Sequence, residues 1–206
     1  QMAVYALQVG SVVTQPFGHR GYGWGCDMVS CAVAQRDIVV RLNPDAQFAI
    51  PFCDRYWSRI LNSRYDYEEE IETFLRSVAD IKYTFVDCGA NFGYWSVLAS
   101  SAPFGRQTAL AIEASPGNAA RLALNAGLNG SRYRCMNAAI GGRTGGFVRV
   151  AGRRHEAFST YAVKDDDPGA VRRVSLDGLL KDDLDAQAPM VIKLDVEGVE
   201  IEAIEG

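Results

Sequence analysis

From residue 82 onward the sequence alternates apolar segments typical of buried strands with segments typical of helices. The four clearest predicted strands are "YTFVDC" (83–88), "TALAIEA" (108–114), "RYRCMNAAI" (132–140) and "PMVIKLD" (189–195). Predicted helices follow the first, second and last of these strands, whereas the stretch 152–170 has no clear pattern. This alternation predicts an α/β fold with a mainly parallel sheet and helices on both faces.

The residues before this region have a different character and predict an N-terminal extension of short strands and loops over 1–65. Four glycines in "GHRGYGWGC" (18–26) predict a loop, and "DIVVRL" and "AQFAIP" predict a hairpin that turns at 43–45. The segment 65–79 predicts an amphipathic helix with Asp66 as its N-cap. We therefore predict a second unit over 66–206.

Composition excludes several classes of protein. A net charge of −4 and a pI near 5.2 argue against a nucleic-acid partner, which needs clustered basic residues. Five cysteines without a CxxC motif and only two histidines argue against a disulfide framework and a zinc site. Because no apolar run approaches the ~18 residues of a membrane span, and no signal peptide is recognisable, we predict a cytoplasmic protein with no membrane partner.

Polar residues and glycines follow the predicted strands at the points where they end. Asp87 and Gly89 follow the first strand, Glu113 ends the second, Asn137 lies near the end of the third, and Asp195 follows the fourth. Ligands of open α/β sheets bind outside the carboxyl ends of the strands. The sequence therefore predicts that these residues lie together in one crevice.

The residue types at this edge suit a cofactor that carries a nucleoside. Gly89 and Gly93 allow the backbone to approach a ligand without a Cβ between them, and the amides at the following helix start can serve a polar group. Asp87 can attract a cationic group such as the amino group of a methionine moiety. Glu113 is placed to accept hydrogen bonds from two ribose hydroxyls.

The order of the glycines favours S-adenosylmethionine over a dinucleotide. The fingerprint G-x-G-x-x-G of dinucleotide-binding proteins is absent, and G-x-x-x-G preceded by Asp87 stands in its place. A pyrophosphate is repelled by a carboxylate, whereas the sulfonium and ammonium of S-adenosylmethionine are attracted by it. A nicotinamide-dependent oxidoreductase on a similar sheet and a non-catalytic binding module stay open as alternatives.

Several segments occur in an order that resembles the FkbM-type S-adenosylmethionine-dependent methyltransferases. They are "FVDCGANFGYWS", "AIEASPGNAARLALN", "NAAIGG", "VSLDGLL" and "IKLDVEGVEIEAIEG", and the resemblance covers about residues 46–206. It implies a Rossmann-like class I methyltransferase fold and O-methylation, often of sugar or polyketide hydroxyls. The family continues past the last segment into further strands, whereas this sequence ends at Gly206. We therefore expect the C-terminal strands to be missing and the strand 189–195 to lie at an exposed edge.

The resemblance also implies roles for individual residues around the cofactor. Residues that would enclose the methionine end are Asp87, Gly89, Ala90, Asn91 and Gly93. Glu113 would hold the ribose, and Ser115 and Asn137 would lie near the adenine.

The residues that would bind the acceptor of the methyl group are less clearly indicated than those around the cofactor. The resemblance places Lys193, Asp195 and Glu197 towards the transferring methyl group and the acceptor, with Lys193 as a substrate-binding residue. Asp195 or Glu197 is the expected general base, with His155 as a further candidate, and Asp195 could instead hold a divalent metal. The expected partner is a small molecule with a hydroxyl group, a sugar or another natural product. The oligomeric state is left open, with a homodimer as one option.

Overall fold

The computed structural model describes residues 2–34, 36–62, 65, 67–154, 157–165, 167–182, 188–196 and 198–206. Its helices are α1 (Met2–Thr14), α2 (Tyr22–Ala32), α3 (Glu69–Ser77), α4 (Tyr94–Ala99), α5 (Pro116–Leu128), α6 (Leu176–Asp182) and α7 (Glu200–Glu205). Its strands are β1 (Asp37–Asn43), β2 (Ala46–Pro51), β3 (Thr84–Cys88), β4 (Thr108–Glu113), β5 (Arg134–Asn137), β6 (Ala139–Ile140), β7 (Phe147–Arg154), β8 (Ala157–Val163), β9 (Val171–Val174) and β10 (Met190–Leu194). The described residues also form short 3₁₀ helices at Gln15–Phe17, Trp57–Leu61 and Ala102–Phe104.

The central sheet has four parallel strands in the order β10-β3-β4-β5. Successive residues of a strand point to opposite faces, and both faces of β3 and β4 are buried. Phe85 and Ala109 belong to a core that includes Trp95 of α4 and Leu122 of α5. The alternate residues of these strands belong to a second core, which also includes residues of α6 and α7. The strand residues of this second core are Val86, Cys88, Leu110 and Ile112. The predicted parallel sheet with helices on both faces is confirmed for this part of the chain.

A second sheet has the order β6-β9-β7-β8. Strands β6 and β9 are parallel, and β7 pairs antiparallel with both β8 and β9. The prediction of a loose stretch over 152–170 is wrong for 157–163, because β8 pairs with β7 along its length, from Phe147 opposite Val163 to Arg154 opposite Ala157. That pairing depends on contacts with another strand, and the segment's own sequence does not specify it.

The N-terminal residues are more helical than predicted. Helix α2 begins at Tyr22, so the prediction of a loop over 18–26 is wrong for its second half. Buried contacts explain the helix, because Leu7 of α1 packs with Tyr22, Cys26 and Phe52 in a small core. Such packing outweighs the low helix propensity of glycine. The hairpin β1–β2 is confirmed, including its turn at 43–45.

The amphipathic helix before the parallel sheet is confirmed as α3, which begins at Glu69. Its predicted cap, Asp66, lies outside the described residues. The division at residues 65/66 stays a prediction, and Phe48 of β2 shares a core with Phe85 of β3. None of the helices in the described part of the chain has both the length and the apolarity needed to cross a membrane.

Candidate functional site

A cavity lies at the carboxyl edge of the parallel sheet, where the ends of β3, β4 and β10 meet. It encloses about 890 Å³ when its open mouth and the adjoining solvent are included. Its polar lining comes from Asp87, Asn91, Glu113, Asn118, Lys193 and Asp195. Its apolar lining includes Ile112, Ala138, Ile140, Val196 and Val199, together with a group of aromatic residues described below.

The loop that follows β3 is fixed against both neighbouring strands. The amides of Gly89 and Ala90 both donate to the carbonyl oxygen of Ile112, at 2.9 Å. Gly89 has φ +79°, and a Cβ at this position would lie 1.8 Å from the carbonyl oxygen of Asp195. Only glycine fits here, because the end of β10 lies against the loop and the backbone is in the left-handed region.

Asp87 lies at the end of β3 with only 1% of its surface exposed. Its Oδ2 accepts a hydrogen bond from Oγ of Ser96 at 2.7 Å. Its Oδ1 is also buried and has no hydrogen-bond partner among the described residues. Burial raises the pKa of Asp87, and the charge of Lys193 acts in the opposite direction. A buried acceptor without a partner at the wall of a cavity indicates a place for a donor from a ligand.

Glu113, at the end of the neighbouring strand β4, has both oxygens engaged. Oε1 accepts from the amide of Ser115 at 2.7 Å, and Oε2 accepts from the amide of Asn91 at 2.8 Å. Burial raises the pKa of Glu113, and these two backbone hydrogen bonds oppose that change. Glu113 therefore links the loop after β3 to the start of α5.

Lys193 lies beside Asp87, because the two residues are partners in the β10–β3 register. Nζ of Lys193 donates to Oδ2 of Asp195 at 3.1 Å. Burial acts to lower the pKa of Lys193, but the carboxylates of Asp87 and Asp195 outweigh it, and the pKa is raised. Lys193 is therefore an ammonium at neutral pH, and its 11% exposed side chain contrasts with the 53% exposed side chain of Asp195.

Five rings form one side of the cavity, which we term the aromatic wall: Tyr56, Trp57, Tyr67, Tyr94 and Trp95. The hydroxyl of Tyr56 donates to that of Tyr67 at 3.0 Å. Burial raises the pKa of Tyr56 to about 12 and that of Tyr67 further. Both hydroxyls are therefore protonated at neutral pH.

The structure brings together most of the residues that the sequence predicts for the site. Those that line the cavity are Asp87, Gly89, Ala90, Asn91, Glu113, Lys193 and Asp195. Two further candidates, His155 and Glu197, lie outside the described residues.

Three predicted residues are described but do not line the cavity. Ser115 caps α5, where its hydroxyl accepts from the amide of Asn118 at 3.4 Å. The exposed Asn137 donates to the carbonyl oxygen of Glu113 at 2.8 Å. Gly93 faces Leu122, whose Cδ1 would lie 2.5 Å from an added Cβ. These contacts support the walls of the cavity, and the cofactor contacts expected of these residues stay predictions.

Sequence reasoning missed Asn118 and the role of the aromatic wall. Asn118 lies three residues after Ser115, the cap of α5, and is buried. This spacing from the cap could have indicated that Asn118 lies at the cavity wall. The pattern around Tyr94 and Trp95 suggests helix core, and these residues do pack in the core while they also line the cavity. No local pattern connects them to Tyr56, Trp57 and Tyr67.

No three side chains of His, Cys, Asp or Glu in the described part of the chain lie close enough together to hold an ion.

The family model of the methyltransferase FkbM domain matches residues 87–206, which is more than half of the chain. No curated protein and no solved structure matches. The matched region begins at Asp87 and contains the loop after β3, Glu113, Lys193 and Asp195. The chain therefore belongs to the FkbM methyltransferase family.

Proposed function

We propose that the chain is an S-adenosylmethionine-dependent O-methyltransferase that acts on a hydroxyl group of a small molecule, such as a sugar or a polyketide. The observation that carries the proposal is Oδ1 of Asp87 at the wall of the cavity, which has no hydrogen-bond partner among the residues that the structure describes. A buried carboxylate oxygen without a donor is costly. The ammonium of the methionine moiety is a donor of the right charge, and it would remove that cost.

The neighbouring side chains fit the rest of the cofactor. Each oxygen of Glu113 accepts one backbone hydrogen bond and keeps acceptor capacity for a ribose hydroxyl. Ile112, Ala138 and Ile140 offer apolar contacts for an adenine ring. S-adenosylmethionine would supply the electrophilic methyl group to this site.

The acceptor would lie between the aromatic wall and the end of β10. Asp195 is our candidate for the general base, because it lines the cavity and its side chain is half exposed. Its Oδ2 binds Lys193, so we assign Oδ1 to take the proton of the acceptor hydroxyl. A protonated Lys193 cannot take that proton, and it would instead orient Asp195 and contact the acceptor. Glu197 and His155 stay as further candidates.

A titration separates this proposal from its alternatives. We expect S-adenosylhomocysteine to bind with a micromolar dissociation constant and NAD⁺ not to bind, because Asp87 and Asp195 repel a pyrophosphate. Binding of NAD⁺ alone would support the oxidoreductase and overturn the proposal. Binding of neither ligand would mean that the chain is a module that does not use S-adenosylmethionine.

Turnover distinguishes an enzyme from a module that only binds the cofactor. We expect Asp195→Asn to keep its affinity for S-adenosylhomocysteine and to lose about 10²–10⁴-fold in methyl transfer, the usual contribution of a general base. Transfer of labelled methyl to a panel of sugars and polyketide alcohols provides the measurement. Unchanged turnover would show that the base is another residue. The cytoplasmic location and the oligomeric state stay predictions.

A further inference from the structure

Two tryptophans link the segment 56–68 to the loop and helix that follow β3, and they do so in opposite directions. Nε1 of Trp57 donates to Oδ1 of Asn91 at 3.1 Å. Nε1 of Trp95, in the first turn of α4, donates to Oε2 of Glu68 at 2.6 Å. Each side of the contact thus supplies one indole donor and one acceptor. We term this pair of hydrogen bonds the tryptophan clasp.

The rings of the two segments also interleave. Trp57 stacks on Tyr94 with centroids 5.6 Å apart and an interplanar angle of 24°. Tyr67 stacks on Trp95 at 6.0 Å and 23°. Because Trp57 and Trp95 are only 2% and 3% exposed, water cannot easily replace a lost partner of either indole. Each hydrogen bond of the clasp is therefore costly to break.

Both acceptors of the clasp have a left-handed backbone. Asn91 has φ +52° and Glu68 has φ +50°. Asparagine tolerates this region, whereas glutamate rarely adopts it. Strained residues persist where surrounding contacts hold them, and they concentrate at functional sites. The clasp provides such a contact at each of the two positions.

The clasp acts on the loop that carries the cavity's backbone. The amide of Asn91 donates to Oε2 of Glu113 at 2.8 Å, so a shift of Asn91 would move both this bond and the adjoining Gly89 and Ala90. Trp57 and Glu68 precede the residues 87–206 that the family model matches. The part of the site that binds the cofactor is thus held from outside the matched region.

We propose that Trp57 and Glu68 are positioning residues of the donor site, which hold the loop Gly89–Gly93 and the first turn of α4 in the form that binds the cofactor. This inference rests on the proposed function for the identity of the ligand. It requires that loss of either hydrogen bond weakens cofactor binding through the loop. The charge of Glu68 also helps to raise the pKa of Lys193, so the test must separate that charge from the hydrogen bond.

Four variants of the full chain provide that separation. Trp57→Phe keeps an aromatic ring, although a smaller one, and removes the N–H, while Oδ1 of Asn91 still accepts from the amide of Phe92. Glu68→Leu leaves the indole of Trp95 without an acceptor. Glu68→Gln keeps an acceptor and removes the charge. Glu69→Leu is the matched control, because Glu69 is the exposed neighbour in α3.

The first readout is the calorimetric affinity for S-adenosylhomocysteine. We expect it to fall about 3- to 10-fold in Trp57→Phe and about 10- to 100-fold in Glu68→Leu, from the usual cost of a lost bond and of a buried unpaired donor. Glu68→Gln should stay within about 3-fold of the unsubstituted chain, and Glu69→Leu should be unchanged. If Glu68→Gln binds as weakly as Glu68→Leu, the charge and not the hydrogen bond is responsible, and the proposal is overturned.

The second readout is amide hydrogen exchange of the loop in the ligand-free protein, which does not depend on the cofactor. We expect amides in 89–92 to exchange faster in Trp57→Phe and Glu68→Leu, and at the original rate in Glu68→Gln and Glu69→Leu. Unchanged exchange in the first two variants would overturn the proposal. Faster exchange in a chain that binds no S-adenosylhomocysteine would support the clasp and contradict the proposed function.

Discussion

Asp87 and Glu113 end neighbouring strands of the parallel sheet, and both are buried acids whose pKa is raised by burial. They differ in what their oxygens bind. Glu113 accepts a backbone amide at each oxygen, whereas Asp87 accepts one hydroxyl and leaves Oδ1 without a partner among the described residues. Glu113 therefore joins parts of the chain, and Asp87 keeps an unmet acceptor at the wall of the cavity.

One edge of a sheet can thus combine stability with binding. A buried acid whose hydrogen bonds are complete contributes to the fold, while one with an unmet acceptor imposes a cost that a ligand can relieve. Substitutions at the two positions should accordingly affect different measurements. Glu113 should govern mainly the free energy of unfolding, and Asp87 should govern mainly the affinity for the cofactor.

The largest effect should come from Gly89→Ala, which disturbs the loop that joins the two acids. The added Cβ would meet the carbonyl oxygen of Asp195 and would also occupy a left-handed backbone. We expect the free energy of unfolding to fall by about 3 kcal/mol or more, from overpacking and backbone strain together. Urea unfolding measures this fall in the free energy of unfolding.

Gly130→Ala is the matched control for that substitution. Gly130 has φ +72°, but no atom lies within 4 Å of its added Cβ. Only the backbone strain applies, so we expect a loss of about 1–2 kcal/mol. Equal losses in the two variants would show that the loop after β3 can move away from β10.

The next largest effect should be the loss of stability in Glu113→Gln. A glutamine has one carbonyl oxygen, so one of the amides of Ser115 and Asn91 would face an NH₂ group instead of an acceptor. We expect the free energy of unfolding to fall by about 1–3 kcal/mol, the cost of an unsatisfied buried donor. The same measurement on Asp87→Asn should show little loss, because its carbonyl oxygen can still accept from Ser96. A larger loss in Asp87→Asn would reverse the comparison.

Substitution of Asp87 should affect the affinity for the cofactor more than it affects the free energy of unfolding. We expect Asp87→Asn to bind S-adenosylhomocysteine about 10-fold or more weakly, because a hydrogen bond between an ammonium and a carboxylate loses its charge. Calorimetry at pH 7.5 measures this affinity. An affinity equal to that of the unsubstituted chain would mean that Oδ1 does not contact the cofactor.

The smallest effect is a pH dependence of stability without ligand. The pKa of Asp87 is higher in the folded than in the unfolded state, so the folded state binds more protons between those two values. The free energy of unfolding must then fall as pH rises from about 4, the unfolded pKa, through the folded pKa. Urea unfolding between pH 4 and 7 should show a shallower fall in Asp87→Asn. Parallel profiles would mean that burial does not raise this pKa.

Local patterns in the sequence predict much of the parallel sheet and of the loop after β3. Apolar runs indicate β3, β4 and β10, and the pair Ser115-Pro116 indicates the start of α5, because strand burial and helix capping depend on residues close in the chain. The positions of Asp87 and Glu113 follow from the rule that parallel strands end at one edge.

Features that depend on distant contacts could not be predicted in the same way. Helix α2 contains Gly23 and Gly25 and depends on packing against α1. Strand β8 depends on its pairing with β7. The aromatic wall joins Trp57 to Tyr94 across 37 positions of the sequence, a contact that no period or turn signal encodes.

The decisive measurement is a crystal structure of the chain with S-adenosylhomocysteine. Our prediction is density for the ligand in the cavity at the ends of β3 and β4. Its amino group should lie within hydrogen-bond distance of Oδ1 of Asp87, and its ribose hydroxyls should lie within that distance of Glu113. Density for the ligand at another place, with Oδ1 of Asp87 still without a donor, would contradict it.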